Sequence, residues 1–128
     1  MNQKNILWLA SWYPNEKNPV AGDFIQRHAR AVAANRRLTV IYVDQSGWHE
    51  DSVYRKTDVH TEGQLTEIRS YFVFKRIGLG FIDRIRYNLT YQRHYKQILR
   101  TYFTENGLPE LIHVHVPMKA GKLSLWAK

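Results

Sequence analysis

The sequence contains no cysteine, which excludes disulfide scaffolds, thiol nucleophiles and thiolate metal sites. It also has no apolar run that approaches the roughly 20 residues of a membrane-spanning helix. The first residues, MNQKNILWLASWYP, lack the basic start and long apolar stretch of a secretory signal peptide. Together these absences predict a protein of the cytoplasm.

Acidic residues are scarce as well, with 11 of them against 19 lysines and arginines, so the formal net charge is +8. Residues 75–100 hold seven basic residues and only Asp83 on the acidic side, and therefore carry six of the eight net charges. Such a patch suits nucleic acid, an anionic membrane or phosphorylated small molecules. A solvated basic face that keeps the protein soluble explains it equally well.

Hydrophobic residues make up 44% of the chain and aromatic residues 13%, so a packed core is expected. The length of 128 residues fits one domain over residues 1–128.

The first 45 residues have the pattern of a strand, a helix and a second strand. NILWLAS is a short apolar run typical of a strand buried on both faces, and LTVIYVD (38–44) is a second one. Between them, apolar residues at helical spacing predict a helix over about 24–34. Asp23 is its expected N-cap, with Gln26 completing a capping-box pattern. Two such strands joined by a helix predict a parallel pair with a right-handed crossover.

The remaining chain extends this pattern. Residues 45–74 predict a hairpin or an irregular strand pair around a Glu62-Gly63 turn, and residues 81–107 predict a long helix stopped by Gly107. LPELIHVHVP is then a further strand, and MKAGKLSLWAK begins another helix. The apolar face expected for the long helix comprises Phe81, Ile85, Leu89, Leu99 and Phe103.

The predicted fold class is α/β, with a Rossmann-like parallel sheet and helices on both faces. Because the chain ends at the start of a covering helix, we expect it to be a fragment of a larger fold.

Two segments have the composition of a ligand site at the carboxyl edge of this sheet. The first is the connection after the first strand, which is far longer than the usual 2–6 residues. Its end, NPVAGDF, offers Gly22 for close backbone approach and a helix start that favours an anion. It is neither G-x-G-x-x-G nor a Walker loop, and a simple turn glycine is the competing interpretation.

The second segment is HVHVP, which places His115 near the carboxyl end of a strand, where it can exchange a proton or hydrogen bond. His-x-His can also bind a metal, but no third ligand is evident, and we expect no metal. No G-x-S-x-G occurs and no serine has an evident base. We expect His113 to be a packed, hydrogen-bonded core histidine.

In combination, LASWYPNEKNPVAGDFIQRHARAVA, LTVIYV and LIHVHVPMKAG resemble the amino-terminal half of a family 4 glycosyltransferase of the GT-B fold. The resemblance covers residues 5–44 and 108–128. Many members have two adjacent glycines where this chain has Ala21-Gly22.

The resemblance implies a retaining transferase that moves a sugar from a nucleotide-sugar to a glycan or lipid-linked acceptor without a metal. The amino-terminal domain of such an enzyme holds the acceptor. The carboxyl-terminal domain holds the donor and carries E-x7-E carboxylates. By the same resemblance, His115 is the catalytic residue and contacts the transferring sugar, while Ala21, Gly22 and Asp23 bind substrate across the cleft. Without the donor domain, this chain alone is expected to be inactive.

The alternative is a small basic module that binds nucleic acid or anionic lipid and catalyses nothing. Tyr87, Tyr91, Tyr95 and Tyr102 among the arginines permit nucleic-acid stacking, although tyrosines at helical spacing more often pack in a core. We favour a protein that binds no nucleic acid.

A membrane surface is a further expected partner. Arg86, Arg93 and Arg100 are seven residues apart and form one stripe, and Lys96 lies between that stripe and the apolar face. Basic residues that flank an apolar face suit a helix lying on an anionic membrane. Docking through the amino-terminal domain is also what the resemblance implies for transferases with lipid-linked acceptors.

Overall fold

In the computed structural model, which describes residues 5–15, 19–45, 56–74 and 77–115, five strands form one sheet and two helices cover it. The elements in chain order are β1 (Asn5–Ala10), α1 (Asp23–Ala33), β2 (Arg37–Gln45), β3 (Lys56–Glu62), β4 (Leu65–Phe72), α2 (Gly80–Asn106) and β5 (Leu111–His115). The helix predicted after β5 lies outside the described residues.

The sheet has the strand order β3-β4-β2-β1-β5. The pairs β1–β2, β1–β5 and β2–β4 are parallel, and only the edge strand β3 pairs antiparallel, with β4. The predicted α/β class and the parallel first pair are therefore confirmed, in a sheet that is mixed at one edge.

Strand β1 is buried on both faces, as its continuous apolar run predicts. Leu7 and Leu9 are fully buried in the cluster that packs under α2, whereas Trp8 and Ala10 belong to the cluster under α1. This alternation follows from the two-residue repeat of a strand. The two helices thus cover opposite faces, which confirms the predicted layers.

Helix α1 begins differently from the prediction. Its N-cap is Gly22, in the left-handed conformation with φ 60, and no side chain caps the helix. Asp23 is instead the first helical residue and forms an ion pair with Arg27, four residues on, with Nε and Oδ2 3.1 Å apart. Gln26 turns toward the sheet and donates to Glu67. The expected capping box is therefore wrong, because both of its side chains have other partners.

Helix α2 has the predicted length and ends at Gly107, with φ 76, but its buried face was predicted wrongly. The residues that face the sheet are Asp83, Tyr91, Tyr95, Leu99 and Tyr102. Of the expected apolar face, only Leu99 is fully buried, and Phe81, Ile85 and Leu89 are 76%, 46% and 50% exposed.

Tyr95 is fully buried, and its hydroxyl has partners inside the protein. The hydroxyl of Tyr95 donates to the carbonyl oxygen of Ile41 at 2.5 Å and lies 3.3 Å from that of Ala10. These bonds join α2 to the two central strands. Burial also raises the pKa of Tyr95 well above its ordinary value, so the phenol remains protonated.

The predicted hairpin is confirmed as β3 and β4, joined by Gly63 and Gln64. Gly63 has φ 59, a conformation that glycine adopts without steric cost. In the antiparallel pairing, Asp58 lies directly opposite Arg69, so their side chains project from the same face of the sheet.

Candidate functional site

The sheet has its topological switch point between β1 and β5. The chain leaves β1 toward β2 on one side, and returns after α2 to pair β5 with β1 on the other side. Ala10, the last residue of β1, lies opposite His115, the last residue of β5. Both predicted site segments therefore begin at the crevice where open α/β sheets bind ligands. The direction of the His115 side chain lies outside the described part of the structure.

The loop residues predicted to bind substrate are packed against their own chain. A β-carbon on Gly22 would lie 2.7 Å from the carbonyl oxygen of Trp12 and 2.9 Å from the amide nitrogen of Tyr13. Glycine is therefore required here for internal packing, whatever role the loop has with a ligand. Ala21 beside it is buried, and Asp23 is partly exposed at the edge of the loop.

Two exposed aromatic side chains that the sequence analysis did not single out lie on this loop. Trp12 is 47% exposed and Phe24 is 54% exposed. Their rings meet edge to face, with centroids 5.4 Å apart. Trp12 follows β1 and Phe24 lies at the start of α1. The two rings therefore form an apolar surface beside the switch point.

A cavity of about 390 Å³ lies on the α1 side of the sheet, between the long loop and the β3–β4 hairpin. Its volume falls in the lower part of the range for small-molecule sites, about 300–1,000 Å³, but the space is largely open to solvent. The residues that line it are Pro14, Asn15, Pro19, Gln26, Asp58, Arg69 and Tyr71. The loop, α1 and both hairpin strands thus each contribute a wall.

Behind this cavity, the buried carboxylate of Glu67 collects three donors on one oxygen, Oε2. Tyr13 donates its hydroxyl, Gln26 donates Nε2 at 2.9 Å, and Arg69 donates Nη2 at 3.2 Å. Burial alone raises the pKa of Glu67, but the bonds from Tyr13 and Gln26 and the charge of Arg69 outweigh it and lower the pKa below its ordinary value. Glu67 is therefore ionised at neutral pH.

Arg69 connects this carboxylate to the loop. Its Nε donates to the carbonyl oxygen of Pro14 at 2.7 Å, and its guanidinium lies 5.2 Å from the centroid of the Tyr13 ring. The side chain is only 18% exposed. Three contacts of different kinds thus fix the guanidinium, and the start of the loop is held against β4 by a charged group rather than by apolar packing alone.

Sequence reasoning missed Glu67 and Arg69, although a signal for them exists. LTEIRSYF places two opposite charges two residues apart, and so on one face of a strand that has to be covered. Charged residues in such a position are rarely buried unless they are paired. A charge pair on a predicted buried strand therefore indicates a partner elsewhere in the fold, here the loop after β1.

The histidine and serine expectations need correction. His113 is exposed on β5 and lies beside Trp8, with ring centroids 5.8 Å apart, so it is not a core histidine. Ser70 does have a histidine partner, since its Oγ lies 2.6 Å from Nε2 of His94. Ser70 is fully buried, however, and cannot meet a substrate. Among the described residues, no group of three His, Cys, Asp or Glu side chains is placed to hold a metal ion.

The basic residues of α2 lie on its outer side. Arg93 and Arg100 are exposed and Lys96 is partly exposed, on the side opposite Tyr91, Tyr95 and Tyr102. Arg86 is held against the protein: Nη1 lies 3.3 Å from Oδ1 of Asp83, and the guanidinium lies 5.3 Å from the Phe74 ring centroid. The three buried tyrosines cannot stack on bases, which weakens the nucleic-acid alternative.

Within the part of the chain that the structure describes, no helix is long and apolar enough to cross a membrane. Comparison of the chain with models of protein families, with curated proteins and with solved structures found no match. A functional assignment therefore depends on the motif residues and on the geometry of this site.

Proposed function

We propose that this chain is the acceptor-binding part of a retaining glycosyltransferase that moves a sugar from a nucleotide-sugar to a glycan or lipid-linked acceptor. The observation that carries the proposal is the pairing of Ala10, after which the long loop begins, with His115 at the end of β5, beside the switch point. The two segments that begin there contain most of the motif residues of the family 4 resemblance. The adjacent cavity gives an acceptor a place to bind.

In the proposed reaction, the bond between the sugar and the nucleoside diphosphate breaks and a bond to an acceptor hydroxyl forms on the same face of the sugar. The acceptor hydroxyl gives its proton to the departing diphosphate, which leaves with the bonding electron pair. His115 contacts the transferring sugar from the end of β5, and the 21–23 segment forms one wall of the cleft. The donor is held mainly by a second domain, no metal takes part, and the reaction belongs to the cytoplasm.

The test is a donor screen. The protein from the complete reading frame is incubated with UDP-, GDP- and other nucleotide-sugars, and release of the nucleotide is measured. We expect one donor to be consumed, and His115→Ala to lower kcat by about 10²-fold or more with a smaller change in the acceptor KM. His113→Ala is the matched control from the same strand. Rapid turnover by residues 1–128 alone would contradict the proposal.

A second candidate function, docking on an anionic membrane surface, is favoured by the outer side of α2. Over the first turns of α2, this outer side is apolar. Its described apolar side chains, all more than 40% exposed, are Phe81, Ile82, Ile85 and Leu89. Arg93, Lys96 and Arg100 follow on the same side one to three turns later. An apolar surface continued by basic side chains matches acyl chains beside anionic headgroups.

The start of α2 is also held in place. Asp83 accepts the backbone N–H of Ile77 at 2.9 Å and that of Gly78 at 3.1 Å, which fixes the segment carrying the exposed Ile77 and Leu79. A segment that is already ordered in the free protein loses less conformational entropy when it docks.

Sedimentation with vesicles tests this function. We expect the protein to bind vesicles that contain anionic lipid and not neutral ones. Binding is expected to fall with salt and in an Arg93/Lys96/Arg100→Gln variant, since each basic side chain contributes about 1 kcal/mol near such a surface. Phe81→Ser tests the apolar part. Equal recovery in the supernatant with both lipids would reject docking.

A further inference from the structure

Exposed apolar side chains flank the carboxyl edge of the sheet, where both helices begin. Because β1, β2, β4 and β5 are mutually parallel, each connecting helix starts at this edge and returns to the amino edge. The second residue of each helix is an exposed phenylalanine: Phe24 of α1 is 54% exposed and Phe81 of α2 is 76% exposed. Since α1 and α2 cover opposite faces, the edge has one apolar surface on each face.

At the start of α1, the apolar surface is an aromatic pair on a rigid support. The ring of Trp12 meets that of Phe24 edge to face, and both rings are about half exposed. The backbone beneath them is fixed, because the N-cap Gly22 lies against the Trp12 carbonyl and the next residue, Tyr13, is fully buried. Tryptophan is enriched where membranes meet water, since its ring is apolar and its N–H is polar.

The start of α2 projects past the end of the sheet. Tyr87 packs on Phe72, the last residue of β4, with ring centroids 5.6 Å apart. Phe81 lies six residues before Tyr87, which is about 9 Å along the helix axis. The first turns of α2 and the segment before them therefore extend beyond this strand. Their exposed apolar side chains are Ile77, Leu79, Phe81, Ile82 and Ile85.

The charge around this second surface favours an anionic partner. Arg84 is exposed between Ile82 and Ile85, in the first turns of α2. Residues 75–100 as a whole carry six of the eight net charges of the chain. Exposed apolar side chains interspersed with basic ones match the acyl chains and the anionic headgroups of a bilayer.

We propose that the carboxyl edge itself docks on an anionic membrane, with Trp12 and Phe24 inserted from one face of the sheet and Phe81 from the other. Helix α2 then meets the membrane with its first turns and inclines away from it, rather than lying flat on its outer side. The crevice beside Ala10 and His115 lies at the same edge and therefore faces the bilayer. Under the proposed transferase function, on which this last step rests, the acceptor is the lipid-linked one, because its sugar enters the crevice from the membrane.

Phe24 distinguishes this orientation from flat docking. If α2 lay flat on its outer side, Phe24 would be on the far face of the sheet, about 20 Å from the axis of α2, because packed layers are about 10 Å apart. Leu108 marks the opposite, amino edge and is 80% exposed. It follows the end of α2, whose 27 residues span about 40 Å, so it stays in water when the carboxyl edge is inserted.

Single cysteines test the orientation, because the chain has no cysteine of its own. Phe24→Cys, Phe81→Cys and Leu108→Cys are each labelled with nitrobenzoxadiazole. Each is then mixed with vesicles of phosphatidylglycerol and phosphatidylcholine in equal parts, or of phosphatidylcholine alone. With the anionic vesicles, emission is expected to rise by about twofold or more at Phe24→Cys and Phe81→Cys, because both labels leave water for the acyl boundary. Nitroxide-labelled acyl chains are expected to quench both. Leu108→Cys is the matched control and is expected to remain unchanged.

Val20→Cys repeats the measurement on the α1 side without altering the aromatic pair, since Val20 is 75% exposed on the same loop. A response at only one of the two helix starts, an equal response at Leu108, or no response to anionic vesicles would overturn the proposal. A response at Phe81 alone would establish flat docking instead.

The outcome for the transferase function is separate. Insertion of both helix starts without nucleotide-sugar turnover by the protein from the complete reading frame would remove the transferase function and keep the docked edge. Turnover without insertion would do the reverse. With a donor labelled in its sugar and native membrane vesicles, the label is expected in the organic extract. Label in the water-soluble fraction alone would reject the lipid-linked acceptor.

Discussion

Glu67→Gln tests whether the buried carboxylate holds the loop against the sheet. The substitution preserves shape and an acceptor oxygen but removes the charge that Tyr13, Gln26 and Arg69 share. A hydrogen bond to a charged group is stronger than a neutral one by about 1 kcal/mol, and three such bonds meet here. The lower desolvation cost of an uncharged side chain offsets part of this loss. We expect the free energy of unfolding at pH 7 to fall by about 2 kcal/mol.

The pH dependence of this difference gives a sharper test. The pKa of Glu67 is lower in the folded protein than its ordinary value of 4.5. Its stabilising contribution is therefore complete above about pH 4.5 and is lost as the pH falls through the folded pKa. In urea unfolding, the gap between the native chain and Glu67→Gln is expected to shrink below about pH 4.5. Glu62→Gln is the exposed control. A gap that is absent at pH 7, or that persists unchanged in acid, would refute the role of the charge.

The remaining predictions concern packing. Gly22→Ala is expected to destabilise the fold by about 2 kcal/mol or more in urea, because it adds a 2.7 Å contact with backbone to an unfavourable φ of 60. Gly63→Ala, with a φ of 59 and open space around it, is expected to cost only about 1 kcal/mol; equal losses would contradict the contact argument. Tyr95→Phe is expected to cost about 1–2 kcal/mol in the same assay, since it removes the donor to the Ile41 carbonyl; a neutral effect would show that this bond stabilises nothing.

The strands and layers were predictable because they depend on local pattern. NILWLAS and LTVIYVD are short runs that can only be buried on both faces, and both became central parallel strands. The hairpin followed from Gly63 between two partly alternating segments. These signals lie within a few residues of one another, so no knowledge of distant contacts was needed.

The buried face of α2 was not predictable in this way. Aliphatic residues define the apolar face in sequence, but Tyr91, Tyr95 and Tyr102 took the core positions. The hydroxyl of a buried tyrosine usually has a partner, and the partner of Tyr95 is a carbonyl on a strand 54 residues away in sequence. The choice between the two faces thus depends on contacts that the helix sequence does not contain.

The same reasoning explains why the candidate site was found only in part. The loop and the end of β5 were predicted as site segments from their composition, whereas Glu67 and Arg69 lie on a strand and bind a loop about 55 residues away. In the fold, these two residues bind Tyr13 and Pro14 at the start of that loop. The described start of the connection, held by a buried carboxylate, a guanidinium and a tyrosine hydroxyl, loses little further freedom when a ligand binds. A connection whose length indicated a mobile binding loop therefore begins, in the fold, with residues that are fixed against the sheet.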